Sequence, residues 1–304
     1  MQAPVCRDCF TGTLRGDVTP TGREKTIHSV PTYVVTPDPG VTPLGTVVIL
    51  TDAFGWKLRN TRALADAYAK RVPCTVYVPD FLEGRAIPES TLPLLEAKPP
   101  PPTANLLTRA LDKVRTSLSL LFLLPILVRL FLHNRRALAY PRIQAFMTAQ
   151  RTAFPSTKLG VAGFCWGGLH AVLLTHDTPA NKVVVSVDDY GGGVLVVEYP
   201  LVDCAFTAHP AQVCFPADLE AVMRPLSVAN GDNDEWMGRD KMRTLVGILK
   251  RKNAELGEER HEAVVYPGAK HGFAVRGDPG DPMQRERGEQ SEEQAVKWFR
   301  RWLG

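Results

Sequence analysis

Lys158-Leu159-Gly160-Val161-Ala162-Gly163-Phe164-Cys165-Trp166-Gly167-Gly168-Leu169-His170 is the stretch on which the reading of this chain turns. A short apolar run bounded by turn residues predicts a buried strand, and the small-residue run after it predicts a helix, with Cys165 at the break. A side chain at the apex of such a strand–turn–helix stands exposed at the top of a sheet, provided its neighbours are small. Gly163 and Gly167 sit two residues before and two after Cys165, where a side chain would collide with the adjoining strand or helix. The pattern is G-x-C-x-G, a nucleophile elbow built on cysteine. Free N–H groups and the dipole at the start of the helix activate a thiol there, a nearby histidine can take its proton, and the Trp166 N–H would face a developing oxyanion. A buried cysteine in a Gly-rich turn would show the same five residues, so the motif needs partners elsewhere in the chain.

At 304 residues and 44% hydrophobic composition, the chain can bury a core the size of one large α/β domain or two small ones. The net charge of +4 arises without a long basic run, since Glu and Asp interrupt the Arg-rich pieces, and nothing suggests nucleic-acid binding. Met1 to Cys6 lacks a basic segment followed by an apolar core, so no secretory signal is expected and a reducing, cytoplasmic setting follows. Six cysteines in so long a chain do not make a disulfide framework. Cys6 and Cys9 form one C-x-x-C with no second pair at metal spacing, so a zinc or redox site there would stand untethered.

Residues 1–24 show no periodicity and read as an irregular arm, with 25–304 as one domain. Glu24 to Val35 alternates as an opening edge hairpin. Gly45 to Thr51 is apolar on both faces, as a central parallel strand should be, and runs out into Asp52-Ala53-Phe54-Gly55. Ligands bind outside the carboxyl ends of such strands, which makes the Ala53 N–H a candidate second oxyanion donor; Asp52 either braces this loop or belongs to the site. A helix over Asn60–Arg71 and a strand over Cys74–Asp80 complete a βαβ unit.

Residues 81–133 interrupt this rhythm. Their apolar run, Ser117 to Leu132, is only about 16 residues against the roughly 20 that a bilayer needs, and Pro125 and Arg129 interrupt it. We read the segment as a helical cap over an apolar pocket; interfacial attachment and a kinked core helix remain its alternatives. A helix over Arg136–Thr152 precedes the elbow. Strands follow at Lys182–Asp188, with a flexible exit over 189–193, and at Asp203–Thr207, Pro225–Asn230 and His261–Tyr266. Helices fall at Gly238–Arg251 and Glu289–Leu303. The fold class is therefore α/β, a mostly parallel central sheet flanked by helices, with a cap inserted at about 81–133.

An elbow cysteine needs a base from another strand end, and that base needs an orienting group. Among seven histidines, His271 follows a strand on a loop whose small residues permit close approach, and it is the leading candidate. His209 also follows a strand end and is the rival, its reach restricted by Pro210. His28 and His133 are far from strand exits, and His170 and His176 sit on the elbow helix as packing or surface residues. Asp234, beyond the Gly231 turn, is placed to meet the far nitrogen of His271; Asp232 is its alternative, or a turn former that caps its own backbone.

With Cys165, Asp234 and His271 in nucleophile, acid, histidine order, the chain resembles the dienelactone hydrolases, most closely their fungal branch. Thr51-Asp52-Ala53-Phe54-Gly55, Val78-Pro79-Asp80-Phe81, Gly163-Phe164-Cys165-Trp166-Gly167-Gly168, Gly231-Asp232-Asn233-Asp234 and His271-Gly272-Phe273 carry the resemblance, which spans the chain from about Thr21 onward. It implies an α/β-hydrolase fold, a Cys165–His271–Asp234 triad, an oxyanion hole from the Ala53 and Trp166 N–H groups, and lactone or ester hydrolysis without metal or cofactor. Family members often carry an acid near the thiol where Asp52 stands here, with a shorter reach than Glu. Their bacterial members grip a substrate carboxylate with arginines; Arg85 and Arg276 lie near those places without aligning residue for residue. Asp52, Phe54, Arg85, His209 and Arg276 are thus the candidates for contact with substrate.

The long apolar insertion favours a bulkier, less polar substrate than a small dicarboxylate lactone, and kinship with fungal enzymes implies a polyketide or other secondary-metabolite ester. Two other classes compete. One is a non-hydrolytic cyclase or isomerase using the same pocket; the other is a redox-responsive protein in which Cys165 is an oxidisable thiol. Monomer and homodimer are both open.

Overall fold

A computed structural model of the protein describes residues 19–91, 103, 105–188, 194–276 and 281–304. The chain opens with the expected hairpin, β1 (Arg23–Ile27) and β2 (Val30–Val35), and then forms β3 (Thr46–Leu50), helix α1 (Arg59–Arg71) and β4 (Thr75–Pro79). Two helices, α2 (Leu106–His133) and α3 (Arg136–Ala153), lead to the elbow strand β5 (Leu159–Phe164) and its helix α4 (Trp166–Leu174). A two-stranded excursion, β6 (Lys182–Asp188) and β7 (Val194–Pro200), precedes β8 (Cys204–Ala208) and the short α5 (Ala217–Glu220). The chain closes through β9 (Leu226–Asn233), α6 (Arg239–Leu256), β10 (His261–Lys270) and α7 (Pro282–Leu303).

Eight strands make one sheet in the order β1-β2-β4-β3-β5-β8-β9-β10, while β6 and β7 form a separate antiparallel ribbon. From β4 to β10 every pairing is parallel; β5 sits between β3 (Thr46↔Leu159 to Leu50↔Gly163) and β8 (Gly160↔Cys204 to Phe164↔Ala208). The apolar runs follow from cover on both faces. On one side α1 and α7 meet through the Tyr68–Phe299 ring contact, and Phe299 also packs on Phe206. On the other side α3, α4, α5 and α6 line up in contact with one another or with the sheet. Val48, Ile49, Val161 and Phe206 have no exposed surface, each worth roughly 1.5–3 kcal/mol of burial. Because all these parallel strands end at one edge, the loops after β3, β5, β8, β9 and β10 crowd together there.

Several boundaries moved for local reasons. The closing helix begins at Pro282, seven residues before the apolar periodicity, because Asp281 caps it by accepting from the Met283 (3.1 Å) and Gln284 (3.4 Å) N–H groups. β9 runs on to Asn233 and β10 to Lys270, joined across a register irregularity between Tyr266 and Lys270. The arm expected over 1–24 already enters β1 at Arg23, and its Thr21 N–H donates to Asp66 at 2.6 Å. The rest of the arm with Cys6 and Cys9, the Pro-rich piece within 92–102 and the 189–193 exit lie outside the described residues.

In the inserted segment one helix, α2, is capped by Asn105, which accepts from the Thr108 N–H at 2.8 Å, and carries Pro125 inside it. Its Leu123 and Leu130 are buried, and Ile126, Leu127 and Phe131 pack on the main core. Among the described residues no helix is long and apolar enough to cross a membrane.

Candidate active site

At the end of β5 the backbone turns through Cys165 at φ 52° and ψ −112°, a conformation that costs a residue with a Cβ about 1–3 kcal/mol. Surrounding hydrogen bonds hold it. The Cys165 N–H donates to the Ala208 carbonyl (3.3 Å), and its own carbonyl accepts from Gly168 (3.0 Å) and Ala211 (2.9 Å). Gly167 donates to the Thr51 carbonyl at 3.1 Å, which docks the helix start onto the β3 exit. A Cβ at Gly167 would lie 2.1 Å from the Leu50 carbonyl oxygen, and one at Gly163 2.5 Å from that of Gly167. The two glycines are required by close approach, as the motif predicts. The apex is not open, however: Cys165 is 3% exposed, because loops from the neighbouring strand ends crowd over the same edge.

Those loops deliver the other groups in strand order. Moving from β5 towards β10, the strand ends release Cys165, His209, Asp234 and His271 in turn. His271 Nδ1 lies 2.9 Å from Asp234 Oδ2, with both side chains wholly buried. The second carboxylate oxygen accepts from the Trp236 (2.7 Å) and Met237 (3.1 Å) N–H groups, so the acid is oriented from both sides. A carboxylate can only accept, which assigns the proton to Nδ1 and leaves Nε2 as the basic nitrogen. Asp232, the alternative acid, instead accepts from the Gly268 N–H at 2.6 Å, tying the end of β9 to β10 across their register irregularity.

His209 stands beside the base rather than in its place. Its ring is 4.9 Å from that of His271 at 69°, with Phe273 and Phe164 at 5.8 and 6.1 Å. Its backbone is held at φ 40° while its N–H donates to the Ala229 carbonyl at 2.9 Å. Of the remaining histidines described at side-chain level, His28 bonds Gln150 (2.9 Å) and His176 the Asp218 carbonyl (2.7 Å). His170 is buried against the Tyr140 face and the Trp166 edge, with ring centroids at 5.9 and 4.7 Å.

On the β3 side, Asp52 braces its own loop, accepting from the Phe54 N–H at 2.9 Å, and also pairs with Arg276 at 3.3 Å. The Arg276 guanidinium lies 5.0 Å over the Phe54 ring. Burial pushes the Asp52 carboxyl up; Arg276, the Phe54 N–H and His271 pull it back. This ion pair ties the loop after His271 to the β3 exit, and Asn60 adds a 2.9 Å bond to the Val275 carbonyl. Arg85 belongs to another cluster, paired with Glu83 at 2.6 Å, a carboxylate that Arg142 shares. Ala53 is fixed by the Ile87 N–H donating to its carbonyl at 2.9 Å.

Sequence reasoning missed how Trp166 is held. Its indole N–H donates to the Asn134 carbonyl at 2.9 Å, which joins the elbow to the end of α2 across 32 residues. A backbone acceptor has no residue-type signature, so nothing in the pattern could have found it. Among the described residues no group of three His, Cys, Asp or Glu side chains is placed to hold a metal ion.

Comparison with known proteins agrees with this architecture. The model of the dienelactone hydrolase family matches residues 30–303. A hydrolase of Aspergillus violaceofuscus, pyvD, is 24% identical over 306 residues, covering 99% of this chain and 98% of its own. Dienlactone hydrolase 1 of Gibberella moniliformis is 24% identical over 302 residues, covering 99% of this chain and 94% of its own. Among solved structures, a putative dienelactone hydrolase from Klebsiella pneumoniae superposes with a TM-score of 0.59 at 18% identity, over 92% of this chain and 98% of that one.

Proposed function

We propose that this chain, which belongs to the dienelactone hydrolase family, hydrolyses a lactone, ester or thioester through an acyl-cysteine formed on Cys165. The observation that carries the reading is the wholly buried His271–Asp234 pair, 2.9 Å apart, released from the same sheet edge as the strained Cys165 turn. His271 Nε2 takes the thiol proton as the sulfur attacks the carbonyl carbon, while Asp234 holds the ring and stabilises the imidazolium that forms. The oxyanion rests on the Ala53 and Trp166 N–H groups, each donor worth roughly 10²–10³ in rate. Collapse breaks the ester C–O bond, and the imidazolium returns its proton to the leaving oxygen. Water, deprotonated by His271, then releases the acid and restores the thiol. The chemistry requires a free thiol, which fits a reducing, cytoplasmic setting.

Residues 25–304 act in this reading as one domain, with the segment at about 81–133 as a cap over the pocket. In the same reading Asp52, Phe54, His209 and Arg276 would meet the substrate, supported by the Asp52–Arg276 pair and the His209–His271 ring contact, whereas Arg85 is engaged by Glu83. The apolar insertion supports a bulky, weakly polar acyl or lactone substrate of secondary-metabolite type.

Intact-protein mass spectrometry after mixing with p-nitrophenyl esters and unsaturated lactones tests the mechanism. An acyl adduct on Cys165, absent from Cys165→Ala, is expected together with a product heavier than substrate by one water. Turnover by Cys165→Ala equal to that of the wild type sinks the mechanism. Product of unchanged mass points instead to cyclisation or isomerisation.

A further inference from the structure

The stretch inserted between β4 and the elbow strand touches, near its two ends, the two residues named above as oxyanion donors. At the first end the Ile87 N–H donates to the Ala53 carbonyl at 2.9 Å. Ala86 packs there so closely that a Cβ at Gly55 would lie 2.7 Å from its methyl carbon. At the second end the Asn134 carbonyl accepts the Trp166 indole N–H at 2.9 Å. Asn134 is itself buried and fixed: its side-chain amide donates to the Leu130 carbonyl at 2.9 Å, and its side-chain oxygen accepts from Arg142 at 2.8 Å. Arg142, on α3, also donates to the His133 carbonyl at 3.3 Å and pairs with Glu83 in the β4 exit. The Phe81 ring of that exit meets Phe146 of α3 edge-on at 5.3 Å. The two ends of the insertion are thus tied to each other through α3, and the second is tied to the elbow.

Trp166 is the first residue of α4, where a backbone N–H has no acceptor within the helix, and the ψ of −112° at Cys165 sets where that N–H points. An indole pinned at its far end resists rotation about that bond, and the His170 ring packs against it at 4.7 Å between centroids. We propose that the Trp166 side chain is a positioning group: its bond to Asn134, held in turn by Arg142 and Glu83, aims the Trp166 N–H at the oxyanion, and the seating of the α2–α3 joint thereby governs acylation of Cys165. The proposal rests on the acyl-cysteine reading given above. An oxyanion donor acts only where it is already in place, and a misplacement of about 1 Å can cost roughly 10² in rate. Alkylation of the same thiol develops no oxyanion, so this contact has no bearing on it.

The test compares two reactions of the full chain. Release of p-nitrophenolate from p-nitrophenyl acetate in stopped flow reports acylation, and iodoacetamide alkylates the same sulfur with loss of iodide. Trp166→Phe keeps a ring but removes the indole donor; its acylation rate at saturating ester should fall roughly tenfold, with half-saturation and alkylation within about twofold of the wild type. Arg142→Gln should fall in the same sense by roughly threefold, since its pair with Glu83 is partly exposed. Because Arg142 acts through Asn134 on Trp166, the double variant should acylate no more slowly than Trp166→Phe alone. A wild-type thiol that alkylates but is never acylated removes the acyl-cysteine reading, and this inference with it. Where the wild type does acylate, an undiminished rate in Trp166→Phe overturns the inference alone. Alkylation that falls in step with acylation overturns it as well, by assigning the indole bond to thiol reactivity or to the fold. Losses that multiply in the double variant overturn the relay from Arg142.

Discussion

His271 and His170 are both almost fully buried close to the elbow, at 3% and 1% exposure, yet their surroundings fit them for opposite tasks. His271 faces the Asp234 carboxylate at 2.9 Å. His170 is stacked against Tyr140 and Trp166, neither ring nitrogen has a hydrogen-bond partner among the described residues, and Arg136 and Arg142 add positive charge nearby. Burial, then those two guanidinium groups, push the His170 imidazole down to about 3, so it stays neutral at every physiological pH. A buried imidazole can cycle a proton only where an opposite charge offsets the loss of water. The first environment suits proton transfer and the second packing.

The contrast can be broken most severely on the His271 side. Asp234→Asn keeps the shape of the orienting group but removes its charge and its exclusive acceptor role, so kcat/KM for any hydrolysed ester should fall by roughly 10³–10⁴. The fold should persist, because the Trp236 and Met237 N–H groups retain an amide oxygen to bond. Steady-state kinetics beside a melting curve check both halves, and undiminished kcat/KM would remove Asp234 from the mechanism.

The next effect falls on the turn that both environments adjoin. Gly167→Ala sets a Cβ 2.1 Å from the Leu50 carbonyl oxygen, rigid backbone that cannot yield as a side chain would. A loss of about 3 kcal/mol is expected by urea unfolding, at the upper end of overpacking costs. A loss below about 1 kcal/mol would show that the elbow is looser than this packing implies.

The smallest effect sharpens the His170 side. Its folded pKa lies below the unfolded value of about 6.5, so as pH falls the unfolded chain takes up a proton that the folded chain refuses. The stability this residue contributes is therefore complete above about pH 6.5 and is lost towards pH 3, by up to about 1.4 kcal/mol per unit. His170→Phe should flatten the fall of melting temperature between pH 6 and pH 4. A residual slope remains, since burial also lowers His261 to about 4. Identical slopes in variant and wild type would mean that His170 meets water or a partner.

The elbow, the strand ends and the triad candidates were legible because each has a short-range cause. Period-two and continuous apolar runs report which faces are covered, and G-x-C-x-G reports a close approach that only glycine permits. Boundaries slipped where a polar residue overrode the apolar period, as Asp281 does at the start of α7. The loop role of Asp52 was readable beside its Phe54 N–H, but its pairing with Arg276, 224 positions away, was not.

By itself the sequence determined the fold class, the Cys165 apex and the strand exits that supply an acid and a base, since local periodicity and steric need leave their mark in neighbouring residues. Only the tertiary structure decided that Asp234 rather than Asp232 meets His271, that His209 lies against His271, that the thiol is covered, and that Leu121, Val128 and Leu132 of α2 are left exposed. Each of these depends on which strand ends and helix faces lie side by side, and that follows from the strand order of the sheet and the packing upon it rather than from spacing along the chain.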